Sequence, residues 1–447
     1  MSGRAAGCRG PGGSGLGWAG FVACPLLWVV AVAVAAPLPM SSLPVVHFAD
    51  AIAQALRDNP SCQAAGAELE RRSGVRREAL AGALPVLNGN VLYTQLDHDR
   101  SLGGRRLAPG KSLNLAMTLV LPLLAPRAWG AARHAGDDLR VAAAATRAVR
   151  REVALGAGRA YIAVITQLRL TAVSEQAVTT AQAHTDNVAA RLEAGVGTQL
   201  DLLRATQELA SSQAQRADVA ASLLRAREIL GQWLGAETAI DVVPGSLDLP
   251  PLSADADFGF QAQALRLRPD VVAAQLRLQA AQAVRRDDWL NYLPNLQLQA
   301  QGFHQQPPTP TLPSLGWQLL LYLNVPFYDG GARYGQQRQH AAQEAQSASL
   351  LQAQARQASS ELRAAAGSLE YAVVAGEAAR RASAHAAEAL QLANTAFAAG
   401  TANNLEVIDA ELRARDAAIA AIVATDRVQQ VRLELTAAAG LFPSSDA

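Results

Sequence analysis

The chain has 447 residues, half of them hydrophobic and 17% charged, with Lys plus Arg at 39 against Asp plus Glu at 38. That balance removes the electrostatic case for a nucleic-acid partner. From about Phe48 onward one uniform texture of Ala, Leu, Arg, Gln and Glu favours long helices over several unrelated domains.

The N-terminus carries Arg4 and Arg9, then an apolar stretch from Phe21 to Ala36 with Ala33-Val34-Ala35 as a small-x-small cleavage pattern. It reads as an export signal over residues 1–35, with an uncleaved anchor as the alternative; the stretch is shorter than the roughly 20 residues of a spanning helix. Phe21-Val22-Ala23 before Cys24 is a poor lipobox, so no lipid anchor is expected. Removal of the signal leaves Cys62 without an intrachain disulfide partner, which fits a half-buried helix residue. No later stretch reaches 18 uninterrupted apolar residues. A membrane contact made by the mature chain therefore has to use strands.

The mature chain then says the same thing twice. Phe48 to Ala83 opens the first half around Ala55-Leu56-Arg57-Asp58-Asn59-Pro60, and Phe260 to Tyr292 opens the second around Ala264-Leu265-Arg266-Leu267-Arg268-Pro269. Each opening ends in a Leu-Pro pair, and both Pro60 to Pro269 and Pro85 to Pro294 are offsets of 209. The repeats span 36–234 and 258–441, separated by a linker at 235–257 rich in Pro and Gly, with a short tail at 442–447. A short strand is expected near Ile240 to Val243.

Each opening leads into two alternating stretches about a polar loop. In the first half Val91 and Tyr93 oppose Asn90 and Thr94, the loop runs from Asp97 to Lys111, and Leu113, Leu115, Met117, Leu119 and Leu121 follow. In the second, Leu296, Leu298, Ala300 and Gly302 alternate with Asn295, Gln297, Gln299 and Gln301; after the loop Gln305 to Leu315, Trp317, Leu319, Leu321, Leu323 and Val325 share a face. Strands of about 10 residues with this alternation suit a transmembrane barrel, and a soluble hairpin packed on a helix has the same pattern.

Very long helices are predicted next, from about Trp129 to Glu193 and from about Gly331 to Ala399. At 1.5 Å per residue each runs on the order of 100 Å. Returning helices at Thr198 to Leu234 and Asn403 to Ala439 carry seven-residue spacing, as in Leu405, Leu412 and Ile419. Antiparallel coiled coils follow. Four strands cannot close a membrane barrel, because open edges in lipid leave backbone groups unsatisfied, so the protomer needs copies of itself.

Enzymatic motifs are absent. The seven histidines are scattered and neither His-x-x-x-His, Cys-x-x-Cys nor Gly-x-Ser-x-Gly occurs. Asp97, His98 and Asp99 read as a solvated loop surface rather than a metal site. No cofactor and no metal are expected.

The turns between the paired helices are Gly195-Val196-Gly197-Thr198-Gln199-Leu200-Asp201 and Gly400-Thr401-Ala402-Asn403-Asn404-Leu405-Glu406, related by an offset of 205. With Val325-Pro326-Phe327-Tyr328-Asp329-Gly330-Gly331 and the closing Ala439-Gly440-Leu441, they make the mature chain resemble the outer membrane factor family typified by TolC. The resemblance implies a mainly α fold with a membrane β-barrel: a homotrimer in which four strands per protomer build a 12-strand barrel, continued by a periplasmic coiled-coil tunnel. It implies further that Glu406 and Asp409 ring the narrowest part of the channel and make it cation-selective. Acids in a first helical turn that simply answer its dipole are the plain alternative. Asp201, Gly195, Gly400, Phe397 and Ala402 fall on the helix-tip gate. Phe397 and Ala402 depart from the tyrosine and arginine of well-known relatives, and Leu121 to Trp129 departs from the compact Pro-Phe-x-Asp-Gly-Gly handover.

The implied partners are a periplasmic adaptor, an inner-membrane transporter, outer-membrane lipid and an exported cargo, in a Gram-negative cell. The absent lipobox tilts the expectation toward type I secretion of a repeat-in-toxin cytolysin, with drug efflux as the alternative. A periplasmic coiled-coil adaptor and a structural surface coiled coil are the competing classes, and neither needs two matched hairpins.

Overall fold

The computed structural model describes residues 43–245, 266–310 and 312–443. The export-signal reading at 1–35, the linker beyond residue 245 and the end of the C-terminal tail lie outside the described residues.

The first repeat opens with β1 (Val45–Val46), α1 (Phe48–Asp58) and α2 (Pro60–Ala81). Asn59 ends α1 and starts α2: its side chain accepts from the Ser61 N–H at 2.8 Å, and Pro60 occupies the first helical turn, where a missing donor costs nothing. Strands β2 (Val86–Gln95) and β5 (Lys111–Leu124) form the first hairpin, and a small hairpin, β3 (Arg100–Leu102) with β4 (Arg105–Ala108), sits in its loop. Helix α3 (Pro126–Glu193) is 68 residues long and α4 (Gln199–Leu234) returns beside it. At 1.5 Å per residue α3 spans about 100 Å. Strand β6 (Asp241–Val242) then pairs in parallel with β1, narrower than the expected 240–243.

The second repeat follows with α5 (Pro269–Arg286), a 3₁₀ segment (Asp287–Tyr292), β7 (Asn295–Gln306), β8 (Leu315–Asn324), α6 (Ala332–Ala398) and α7 (Asn404–Ala438). Both long helices end within three residues of the expected limits. The early start of α3 has a local cause: Pro126 at its first position presets helical φ where the sequence reading waited for Trp129.

The four long strands form one antiparallel sheet in the order β2-β5-β7-β8. Register puts Leu115 opposite both Val91 and His304, and Gly302 opposite both Met117 and Trp317, so alternate residues of all four strands share a face. On that face Val91, Met117, Trp317, Leu319 and Leu321 are all more than half exposed. The opposite face carries Asn90, Asn114, Thr118, Gln299 and Gln301 and is mixed, with Val86, Leu92, Ala116, Val120, Phe303 and Leu320 among its apolar members. Among the described residues no helix packs across the apolar face. Strands β2 and β8, ten residues each, are unpaired along their outer edges.

The main core lies midway along α3, against the C-terminal ends of α4 and α7. Ile52, Ala55, Val153, Ala157, Ile162, Leu230 and Leu433 from α1, α3, α4 and α7 are buried there. Cys62 is buried against this cluster rather than half-buried. Among the described residues no helix is long and apolar enough to cross a membrane.

Candidate functional site at the paired helix tips

Both helix pairs turn with the same device. Helix α3 ends with Gly195 at φ 77°, whose N–H donates to the Leu192 carbonyl at 3.0 Å while Val196 N–H donates to Arg191 at 3.0 Å. Helix α6 ends with Gly400 at φ 78°, donating to Phe397 at 3.0 Å, and Thr401 N–H reaches Ala396 at 2.9 Å. This closure of the last carbonyls needs a left-handed residue, which glycine adopts without strain.

The returning helices start with matched caps. Thr198 Oγ1 accepts from the Asp201 N–H at 3.1 Å and donates to the Asp201 carboxylate at 2.6 Å. Asn403 Oδ1 accepts from the Glu406 N–H at 2.9 Å, and a Glu406 carboxylate oxygen accepts from the Asn403 N–H at 3.4 Å, completing a capping box. Asp409, one turn on, pairs with Arg413 at 3.0 Å with both side chains exposed. Glu406 and Asp409 thus lie on the open side of α7, each with a local partner, while Val407 and Ile408 between them are buried.

The buried side of α7 is where the two tips meet. Phe397, 6% exposed, packs with Val188, Ala205 and Val407, and Ala402 closes the edge of this small core. Arg191 of α3 places its guanidinium 4.2 Å from the Phe397 ring centroid and donates to the Phe397 carbonyl at 3.0 Å. One face of Phe397 therefore meets a cation, a contact worth about 0.5–2 kcal/mol according to its exposure. His184, seven residues before Arg191, lies 5.5 Å from the same ring and its Nε2 is 2.7 Å from Asn404 Oδ1. Asn404 Nδ2 donates to the main-chain carbonyl of Asp201 at 3.1 Å. With the amide oriented that way, His184 Nε2 carries the hydrogen and donates. Burial holds the His184 pKa below its ordinary value, and the Asn404 hydrogen bond opposes that only in part. The tip thus keeps a neutral imidazole.

All the expected tip residues meet in this region. Gly195 and Gly400 make the turns, Phe397 and Ala402 line the shared core, and Asp201 contributes its carbonyl between tips while its carboxylate stays on Thr198. Two participants, Arg191 and His184, lie outside the turn motifs, and Asn404 lies inside the second one without being singled out there. The signal that points to the first two is the seven-residue spacing of His184 and Arg191 on α3, which puts both on one face of the helix.

The loop residues Asp97, His98 and Asp99 satisfy one another and their neighbours: His98 Nδ1 lies 2.8 Å from Asp97, and Asp99 takes Arg106 at 2.9 Å. Among the described residues no group of three or more potential ligands converges on a metal position.

Comparison with known proteins bears on the whole arrangement. The family model for outer membrane efflux proteins matches residues 51–236 and 261–441, which are the two repeats. A curated relative, the fusaric acid resistance protein FusA of Burkholderia cepacia, is 28% identical over 295 residues, 63% of this chain. The chain spans about half of that relative, 55% of its length. A membrane protein from Pseudomonas aeruginosa superposes with a TM-score of 0.77 at 22% identity, covering 88% of this chain and 93% of the other. The outer membrane protein VceC of Vibrio cholerae gives 0.73 at 19% identity, over 88% and 96%. The open MtrE outer membrane channel of Neisseria gonorrhoeae gives 0.72 at 20%, over 88% of each.

Proposed function

The chain belongs to the outer membrane efflux protein family, and from that premise we propose that it is one protomer of a homotrimeric export duct serving a tripartite system. It is an outer-membrane protein that extends into the periplasm. The observation that carries the trimer is the sheet: two ten-residue edges are open, and a face bearing Val91, Trp317 and Leu319 lies bare. In lipid such a sheet is stable only when β8 of one copy pairs with β2 of the next, which run antiparallel in this order. Three copies make twelve strands, with Asn90, Gln299 and Gln301 lining water. A soluble adaptor has no use for a bare apolar sheet face.

At the other end the tips form the gate. Arg191, His184, Phe397 and Asn404 hold the second hairpin against the first, and parting the hairpins breaks those contacts. Glu406 and Asp409, on the open side of α7, supply six carboxylates to the inner mouth of a trimer and favour cations there. An adaptor and an inner-membrane transporter dock at these tips and supply the energy.

The cargo reading we favour is efflux of small organic compounds, supported by the name of the curated relative and by the family. Type I secretion of a protein toxin, expected from the poor lipobox at Cys24, is the second reading. Both are tested in the native cell by deletion and complementation. The expected result is a heat-resistant trimer in the outer-membrane fraction and a deletion strain with lowered tolerance to small toxic compounds. A soluble monomer overturns the duct. Unchanged tolerance with loss of a secreted polypeptide transfers the cargo to protein.

A further inference from the structure

Farther along the helices from the tip core, a cavity of about 200 Å³ opens between the two hairpins. Its walls come from α3, α4, α6 and α7 and include Val173, Ala177, Leu390, Ala414 and Ala418. Three ionisable side chains enter this apolar lining. Arg415 of α7 reaches across to α4, where it meets Glu208 at 2.9 Å and Ser212 Oγ at 3.2 Å. Those two ion-pair partners are only 13% and 14% exposed, so the pair is held away from bulk water.

Glu411, one turn before Arg415, has no such partner. No described residue hydrogen-bonds or ion-pairs with its carboxylate; the guanidinium one turn on gives its Nη1 to Glu208 and Ser212. Burial first, and the nearby Glu208 second, push its pKa up to about 7, with Arg415 opposing. The charged groups facing it are Glu208 from α4 and Arg415 from its own helix; α3 contributes Gln176 and Thr180, and α6 contributes Leu390. With Glu411 ionised the cavity holds one unanswered negative charge beside an apolar wall. An anion entering there meets the two carboxylates of Glu208 and Glu411, and of the buried nitrogens of the Arg415 guanidinium only Nε is without a hydrogen-bond partner. A neutral apolar guest leaves the carboxylate desolvated and unpaired.

We infer that this cavity is a binding site for a small organic monocation, a primary ammonium on a compact apolar body, with the ammonium against Glu411 and the body against Val173, Ala177 and Leu390. The inference is independent of the transport reading, since the site lies within one protomer. Occupancy ties α7 to the first hairpin through an added charge pair. Because the bound cation needs the ionised carboxylate, proton release accompanies binding.

The probe is benzylamine, titrated calorimetrically into the full-length detergent-solubilised protein. Saturable binding of one molecule per protomer is expected, weakened at least about tenfold in Glu411→Gln and kept in Glu70→Gln, an exposed acid of α2 outside the cavity. Affinity of the unaltered protein should rise about tenfold from pH 6 to pH 8, following the ionised fraction of a carboxyl that titrates at about 7. Ala177→Leu, which fills the apolar wall without touching a charge, should also block it. Equal binding by Glu411→Gln, a flat pH profile, or benzoate binding as tightly as benzylamine overturns the site; the pH profile reads out even where a variant fails to fold.

Discussion

At the residue scale, the acids proposed for the channel mouth already have local work. Glu406 closes the capping box on Asn403, and Asp409 pairs with Arg413 on the same exposed stripe. Exposed pairs at i,i+4 contribute only about 0.3–0.5 kcal/mol, so Arg413 does not cancel the potential that Asp409 brings to a confined mouth. A capping carboxylate likewise keeps its charge. Replacing both, Glu406→Gln with Asp409→Asn, is expected to abolish cation preference in single-channel recordings, while the glutamine preserves the box through its own carbonyl oxygen. Unchanged selectivity in that variant assigns the two acids to helix capping alone.

At the scale of elements, the link between hairpins is short, polar and cationic on one side. Helix α3 contributes Arg191 and His184, and the second hairpin answers with the Phe397 ring and carbonyl and with Asn404. Arg191→Ala removes one charged hydrogen bond and one cation–ring contact, together about 1–3 kcal/mol. That is a shift of roughly 5- to 150-fold toward parted tips, read as a higher open probability in planar bilayers. The sign of the pH effect follows from His184. Its pKa at the latched tip lies below the ordinary value, so as pH falls through the interval between the two, the parted state takes up the proton first. The latch is fully present at neutral pH and weakens on acidification. Open probability should therefore rise at acidic pH, and a His184→Gln variant should lose that dependence.

For the whole molecule, the outcome depends on which face of the sheet meets lipid. Leu319 lies opposite Ala300 on the apolar face, and Gln318 lies opposite Gln301 on the polar one. An arginine on the lipid side near the bilayer midplane costs about 2–4 kcal/mol, and three copies multiply that in a trimer. Leu319→Arg is expected to abolish the heat-resistant trimer in the outer-membrane fraction, whereas Gln301→Arg on the opposite face leaves it intact. Equal tolerance of both substitutions refutes the closed barrel.

The duplicated plan was legible in the sequence because it rests on local rules. Offsets of 209 and 205, glycine at the tips and two-residue alternation are all properties read along the chain, and they placed the hairpins, the four long helices and both tips. Phe397 and Ala402 were likewise recognisable as departures at the gate. The contacts of Arg191 and His184 across the hairpins were not. Arg191 is 206 residues from Phe397, and His184 is 220 from Asn404, so only the crossing of two hairpins brings them together. The same holds for Glu411, an ordinary helix-surface glutamate by its spacing. Tertiary packing gave Arg415 to Glu208 on another helix and left Glu411 facing an apolar wall, because a charge is ranked by what shares its burial rather than by what precedes it in the chain.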